Sequence, residues 1–379
     1  MTQKILVGLS VRAFLRRHWQ KKPLLARRAL PHYAKLVTRD ALFALAARDD
    51  VQSRIVSRTR NRWQVAHGPF SKRELARLPA RGWTLLVQGI NQMLPAAQAL
   101  LLEFAFIPYA RLDDVMVSYA PPGGGVGPHF DSYDVFLLQL AGTRRWRISS
   151  QRDLALIENA PIKVLRDFHP EREWLLAPGD MLYLPPRIAH DGIAIDHCLT
   201  ASVGFRAPGA QELGARFLEF LQDELALKGI YRDPELQVQH HPARIGGGML
   251  QKVRRMLGQI DWRASDILRF LGQYLTEPKP HVFFTPPARP LTAAAFARRA
   301  ARLGLQLDLK TQMLFRGRQV FINGERCQVG RAATPLLARL ADRRRIAAPL
   351  ALDAEAAHWL YQWYRAGYIE LDTRERVSE

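Results

Sequence analysis

Two histidines and an aspartate carry the first chemical signal in this sequence. His129 and Asp131 sit two positions apart in GPHFDSYD, and His190 ends the run PGDMLYLPPRIAH. Side chains alternate faces along a strand, so residues i and i+2 point the same way and this pair can reach one metal from one side of a sheet. His190 closes the set from across the sheet. Two imidazoles and one carboxylate on one face of a cation leave positions open for a chelating cosubstrate and dioxygen, the pattern of non-haem iron(II) oxygenases; zinc enzymes use the same ligand types. A lone HxD pair arises often by chance, so its neighbours decide its meaning.

Those neighbours fit a metal site. PGDMLYLPPRIAH reads as a turn, a buried strand and a Pro-Pro bend that delivers His190 at the mouth of a β barrel. Gly123, Gly124, Gly125 and Gly127 let the backbone turn tightly ahead of His129. Arg144 lies fifteen residues after His129, at the start of the strand-like RRWRI. A fixed guanidinium there can pair bidentately with the distal carboxylate of 2-oxoglutarate. Other candidates lack such support. His18, His67 and His169 have no partner at ligand spacing, His197 falls in the turn after His190, and Asp134 is expected to pair locally. Trp359, Trp363 and Tyr364 read as a helix face packed on a core rather than a nucleotide-stacking platform.

The elements that position these residues change in texture along the chain. At 379 residues, 48% hydrophobic and 24% charged, the chain is an ordinary globular protein of two or three domains. Residues 1 to about 95 mix short helical and strand-like runs expected to pack beside a β core, with FLRRHWQKKPLLARRAL read as an amphipathic helix followed by a strand. From Asp114 to Arg206 short apolar or alternating runs are punctuated by Gly, Pro and Asp, as in an all-β region. Leu213, Phe217, Phe220, Leu221 and Leu225 then fall on one face of a helix expected to stop at Gly229. Two more helices follow, around MLQKVRRMLGQIDW and ASDILRFLGQYL, and this module is a candidate for self-association. The proline-rich TEPKPHVFFTPPARP reads as a linker. Beyond it, helical patterns at LTAAAFARRAARLG, ATPLLARLADRR and AEAAHWLYQWYRAG alternate with strand-like LFRGRQVFING and YIELDT, which suits a winged-helix-like fold.

Composition sets further bounds. No stretch approaches the ~20 apolar residues of a membrane span, and the start lacks a long apolar core ahead of a cleavage site. The chain is therefore expected to be cytoplasmic, with Cys198 and Cys327 reduced and structural. The net charge of +20 and pI near 10.5 fit a nucleic-acid-bearing partner or an arginine-rich composition spread over every surface.

The motifs FLRRHWQKKP, VAHGPF, WTLLVQGIN, SYAPPGGGVGPHFDSYDVFLLQ, RRWRI, APGDMLYLPPRIAH and SVGFRAP, running through about residue 208, closely resemble the bacterial ribosomal oxygenases of the Jumonji-C class, which hydroxylate an arginine of large-subunit ribosomal protein sixteen. The helical module and tail follow that family's layout more weakly. The resemblance implies an α+β protein: a double-stranded β-helix (cupin/Jumonji-C) core over residues 1–208, a helical dimerisation region over 209–277 and a winged-helix-like domain over 278–379. By motif position, His129, Asp131 and His190 match its iron ligands. Arg144 matches its 2-oxoglutarate anchor, which is lysine in many other Jumonji enzymes. Asp114, Met116, Tyr133 and Ser202 match its substrate pocket, where a carboxylate can pair with a guanidinium while an aromatic face and a thioether cover it.

The resulting expectation is an iron(II)-, 2-oxoglutarate- and dioxygen-dependent protein-arginine hydroxylase attacking the β-carbon of a ribosomal protein, homodimeric and free of membrane. Two other classes stand beside it: a basic winged-helix regulator that binds nucleic acid, and a non-catalytic or zinc-dependent cupin. Within the first class, histidine or lysine as the target residue, and demethylation as the reaction, stay open.

Overall fold

The structure, a computed structural model, describes residues 8–60 and 62–372. Its first part runs α1 (Val11–Arg17), β1 (Leu24–Ala26), α2 (Arg39–Ala46), the hairpin β2 (Ser53–Thr59) and β3 (Arg62–His67), α3 (Lys72–Ala76), β4 (Trp83–Val87) and α4 (Pro95–Leu102). Side-chain caps start several of these helices: Ser10, Thr38 and Ser71 each accept a hydrogen bond from a first-turn backbone N–H. Then come β5 (Leu112–Ala120), β6 (Val135–Ala141), β7 (Arg144–Ser149), β8 (Arg172–Leu176), β9 (Met181–Leu184), β10 (Ala189–Ala194) and β11 (Cys198–Phe205).

These strands form two facing antiparallel sheets, eight strands in the order β1-β9-β6-β11-β5-β4-β2-β3 and three in the order β10-β7-β8. This is the double-stranded β-helix expected from the sequence. The early strands do more than pack beside it, because β1 pairs with β9 and β4 with β5, extending one continuous sheet. The reason is legible in β4: its WTLLV is buried at every position, as in a strand covered on both faces. Leu137, Trp146, Ile148, Leu182 and Leu184 fill the space between the sheets. Phe14, Leu42, Leu100, Phe104, Phe136 and Phe205 pack the helices onto the outer face of the large sheet. Each such burial contributes about 1.5–3 kcal/mol.

Helices α5 (Ala210–Glu224), α6 (Gly247–Leu257) and α7 (Ala264–Thr276) follow. The first stops five residues short of Gly229, because the backbone turns extended at Leu225 (φ −74°, ψ 130°). The tail comprises α8 (Ala293–Leu303), β12 (Gly304–Leu307), β13 (Met313–Arg316), β14 (Gln319–Ile322), β15 (Glu325–Gln328), α9 (Thr334–Arg343), β16 (Arg345–Ala347), α10 (Ala354–Ala366) and β17 (Ile369–Leu371). Phe296, Leu337, Leu360 and Trp363 form its core, so the aromatic face of α10 packs inward as read from the sequence.

Among the described residues, α7 and the segment just ahead of β5 both hold the tail. Helix α7 lies on the β13-β14-β15 hairpins, where Gly272 permits the approach: a Cβ there would collide with the Phe321 ring. The backbone N–H of Gly324 donates to Thr276 Oγ1 at 3.0 Å. Tyr109, just ahead of β5, donates its hydroxyl to the Asp342 carbonyl at 2.7 Å. Among the described residues no helix is long and apolar enough to cross a membrane.

Candidate active site

His129 and Asp131 lie on the connection between β5 and β6 rather than on a regular strand. The sequence expectation of a plain strand is corrected here by Gly127 and Pro128: Gly127 holds φ +81°, and proline has no N–H to offer a ladder. His129 makes instead a single antiparallel bridge with His190, the second residue of β10. One ligand atom from each of His129, Asp131 and His190 lies within 4.8 Å of the others. His190 Nε2 is 3.7 Å from Asp131 Oδ2, and the two imidazole centroids are 4.2 Å apart.

Both rings are oriented by the main chain. His129 Nδ1–H donates to the Gly127 carbonyl and His190 Nδ1–H to the Ile188 carbonyl, each at 2.9 Å. A carbonyl only accepts, so these bonds fix the tautomer and leave both Nε2 lone pairs for a cation. Burial, then the neighbouring His129, lowers the His190 pKa to about 4 against the opposing pull of Asp131. The ring is thus held neutral, the form that ligates metal. The donor set fits iron(II).

A cavity of about 470 Å³ opens over this triad and is also lined by Asp114, Met116, Tyr133, Arg144 and Ser202. The structure therefore brings every sequence-derived site residue to one place. Arg144, the first residue of β7, is buried, with its guanidinium 5.6 Å above the Trp146 ring. Its Nη1 donates to Ser118 Oγ and Thr200 Oγ1, both at 3.3 Å. No carboxylate lies within ion-pair distance among the described residues, and Nε has no hydrogen-bond partner. A buried cation without an anion is costly unless a ligand supplies one.

Asp114 is a second buried charge on the cavity wall. Gln88 Nε2 donates to its Oδ2 at 2.8 Å and Gly89 N at 3.0 Å. Burial first, then the adjacent Asp113, pushes its pKa up, opposed by Lys279 and those two donors. Tyr133 stands at the rim, 39% exposed. Burial of its hydroxyl, then the negative charges of Asp131, Asp114 and Asp113, raises the phenol pKa.

Sequence reading missed Ser118, Thr200, Trp146 and Asp113. Period-two alternation would have found the first two, since Ser118 follows Asp114 and Met116 on one face of β5 and Thr200 precedes Ser202 on β11. Register pairs Ser118 with Thr200 and Met116 with Ser202. Asp134, expected to pair locally, is fully buried and joins distant segments: Tyr183 Oη donates to it at 2.6 Å and Gln20 Nε2 at 2.9 Å. His197 bonds the Tyr119 hydroxyl at 2.7 Å, and His18 the Pro23 carbonyl at 3.2 Å; neither lines the cavity.

A JmjC domain model matches residues 99–213, and a ROXA-like winged helix model matches residues 259–370. The ribosomal protein uL16 3-hydroxylase of Escherichia coli is 36% identical over 281 residues, 73% of this chain and 74% of that protein. The chain belongs to the Jumonji-C ribosomal oxygenases. These are 2-oxoglutarate-dependent hydroxylases. Another relative, the probable ribosomal oxygenase of Haemophilus influenzae, is 40% identical over 59% of this chain and 54% of its own length. Among solved ribosomal oxygenases, the X-ray structure of E. coli YcfD superposes with a TM-score of 0.84 at 32% identity, covering 96% of this chain and 98% of that one. The same protein in complex with cobalt and 2-oxoglutarate gives 0.81 at 32% identity, covering 95% and 98%.

Proposed function

We infer that this ribosomal oxygenase hydroxylates the β-carbon of an arginine in large-subunit ribosomal protein uL16, using iron(II), 2-oxoglutarate and dioxygen. The observation that carries the cosubstrate is Arg144: a buried guanidinium without a carboxylate partner, lining the same cavity as the His129, Asp131 and His190 triad. Its charge and planar fork suit the far carboxylate of a dicarboxylate.

Iron(II) with 2-oxoglutarate and dioxygen supplies the oxidising power for hydroxylating an unactivated C–H bond. The chain's residues hold and shield. His129 and His190 present Nε2, Asp131 presents one carboxylate oxygen, and Arg144 neutralises the cosubstrate's distal end. Asp114 pairs with the substrate guanidinium, while Tyr133 and Met116 cover its plane and stem and Ser202 offers a hydroxyl. Anchored at its charged end, the side chain turns a carbon nearer its backbone toward the metal, and reach selects the atom attacked. Two adjacent carboxylates on β5 favour a permanently charged guanidinium over a histidine ring.

The apolar residues Leu218, Ile230, Met249, Leu250, Leu257 and Trp262 are all exposed, and α6 buries none of its residues. Such a surface supports a homodimer built through the helical module. A ribosomal protein substrate supports a cytoplasmic location for the enzyme.

Incubation of the iron(II)-loaded enzyme with uL16 and 2-oxoglutarate, followed by tandem mass spectrometry, is expected to place one added oxygen on one arginine. Oxygen found on histidine or lysine, or nowhere in uL16, would overturn the substrate assignment.

A further inference from the structure

The cavity above the triad has a second carboxylate whose present partner is a cation of this chain. Asp113 sits on β5 beside Asp114 and lines the same cavity, yet its side chain is about one-third exposed where Asp114 is buried. Its Oδ1 takes both of its ion-pair contacts, Lys279 Nζ at 3.2 Å and Arg206 Nε at 3.5 Å. The two cations differ in kind. Arg206 is built into the fold: its Nη1 donates to the Leu275 carbonyl at 2.6 Å, and its backbone N–H donates to the Arg111 carbonyl at 2.7 Å. Lys279 stands between Pro278 and Pro280 on the connection from α7 to the tail, with Asp113 as its ion-pair partner, and its side chain is 37% exposed. Such half-exposed pairs are weak, and a better-placed cation can displace them.

We propose that Asp113 is a second recognition carboxylate for the substrate, reading a basic group beside the modified arginine, and that Lys279 stands in for that group until the substrate arrives. This rests on the proposed arginine hydroxylation. The cavity is not uniformly acidic, since Arg54 on β2 and Lys163 between β7 and β8 also line it. The acid pair on β5 therefore marks one end of the cavity for positive charge. Lys279 lowers the negative potential at that end in the free enzyme, so its removal leaves both carboxylates to draw in a basic peptide. Because Lys279 belongs to the connection leading to the tail, substrate entry also releases that connection from the cavity wall.

The test is binding of a fluorescently labelled uL16 peptide spanning the acceptor arginine, followed by anisotropy with anaerobic, iron(II)-loaded enzyme at low salt. Lys279→Ala is expected to tighten binding about threefold, in line with an exposed ion pair, and the gain shrinks as salt rises. Asp113→Asn weakens binding, and in the Asp113→Asn background the gain from Lys279→Ala is markedly smaller, since only Asp114 is left to be unmasked, which a double-mutant cycle reads directly. Asp113→Asn also becomes insensitive to replacing one basic residue that flanks the arginine, while the wild type does not. Unchanged or weaker binding by Lys279→Ala, or an equal Lys279→Ala effect in both backgrounds, overturns this proposal alone. Absence of wild-type binding overturns the substrate reading and this proposal together.

Discussion

His129 and His190 exchange two backbone hydrogen bonds, His129 N to His190 O at 2.9 Å and His190 N to His129 O at 2.7 Å. The main chain therefore sets the separation of the two imidazoles, and a metal finds the site already assembled. Preformed ligands make cation binding a stabilising event without a folding step.

Manganese(II) or cobalt(II) at a hundredfold excess over its Kd is accordingly expected to stabilise the protein by about 2.7 kcal/mol, seen as a rise in Tm by scanning fluorimetry. His129→Ala, Asp131→Ala and His190→Ala should lose that rise while keeping native circular dichroism. A full metal-dependent shift in any of them would contradict the ligand assignment.

Gly127 offers a more remote handle on the same site. It holds φ +81°, and a Cβ there would come 2.5 Å from Trp63 Cζ2. Its carbonyl accepts from the His129 ring. Gly127→Ala should cost about 1–2 kcal/mol from left-handed backbone alone, and the displaced loop should weaken metal binding by calorimetry. Adding Trp63→Ala relieves the clash but not the backbone strain, so recovery is expected to be partial.

Arg144→Ala should raise the Kd for 2-oxoglutarate at least a hundredfold, since breaking a buried charge pair costs about 3–5 kcal/mol. Arg144→Lys should recover part of this as a point charge without the hydrogen bonds to Ser118 and Thr200. Tryptophan fluorescence titration provides the measurement. An unchanged Kd in Arg144→Ala would remove the cosubstrate anchor.

The exposed apolar face of the helical module predicts a dimer at micromolar concentration by light scattering. Leu250→Glu combined with Leu257→Glu, both at exposed positions, should yield a folded monomer. A monomeric wild type would exclude self-association through this face.

The metal site was legible in the sequence because its ligands are rare residue types at short spacing, between elements with clear punctuation. PGDMLYLPPRIAH announced both the buried β9 and the bend before His190. What stayed hidden depends on long-range pairing. That β1 to β4 extend the main sheet follows from pairings such as Leu25 with Leu182 and Leu85 with Tyr119, which no local pattern specifies. Asp134 looked local because Tyr183 and Gln20 reach it only after the chain folds. Asp113 was passed over because nothing local distinguishes it from its neighbour Asp114, and its place in the cavity and its contacts with Lys279 and Arg206 arise only in the folded chain.

Asp114 should show a conflict between stability and recognition. Burial, then Asp113, raises its pKa in the folded protein above the ordinary 3.8. Between 3.8 and that raised value the folded state binds more protons than the unfolded state, so stability falls as pH rises through this window and the penalty is complete above it. Asp114→Asn removes the buried charge, and its amide oxygen can still accept from Gln88 and Gly89. Its Tm is therefore expected to exceed that of the wild type at pH 7, with the difference vanishing at acid pH where Asp114 is already protonated. Recognition should move the opposite way, because only the carboxylate can pair with a guanidinium. Asp114→Asn should raise KM for the uL16 peptide by at least tenfold, about 1.4 kcal/mol, and leave 2-oxoglutarate binding near its wild-type value. In the wild type the same logic makes the peptide KM climb as pH falls, beginning above the range of an ordinary carboxylate. A variant less stable at pH 7 and unimpaired toward peptide would show that Asp114 serves the fold rather than the substrate.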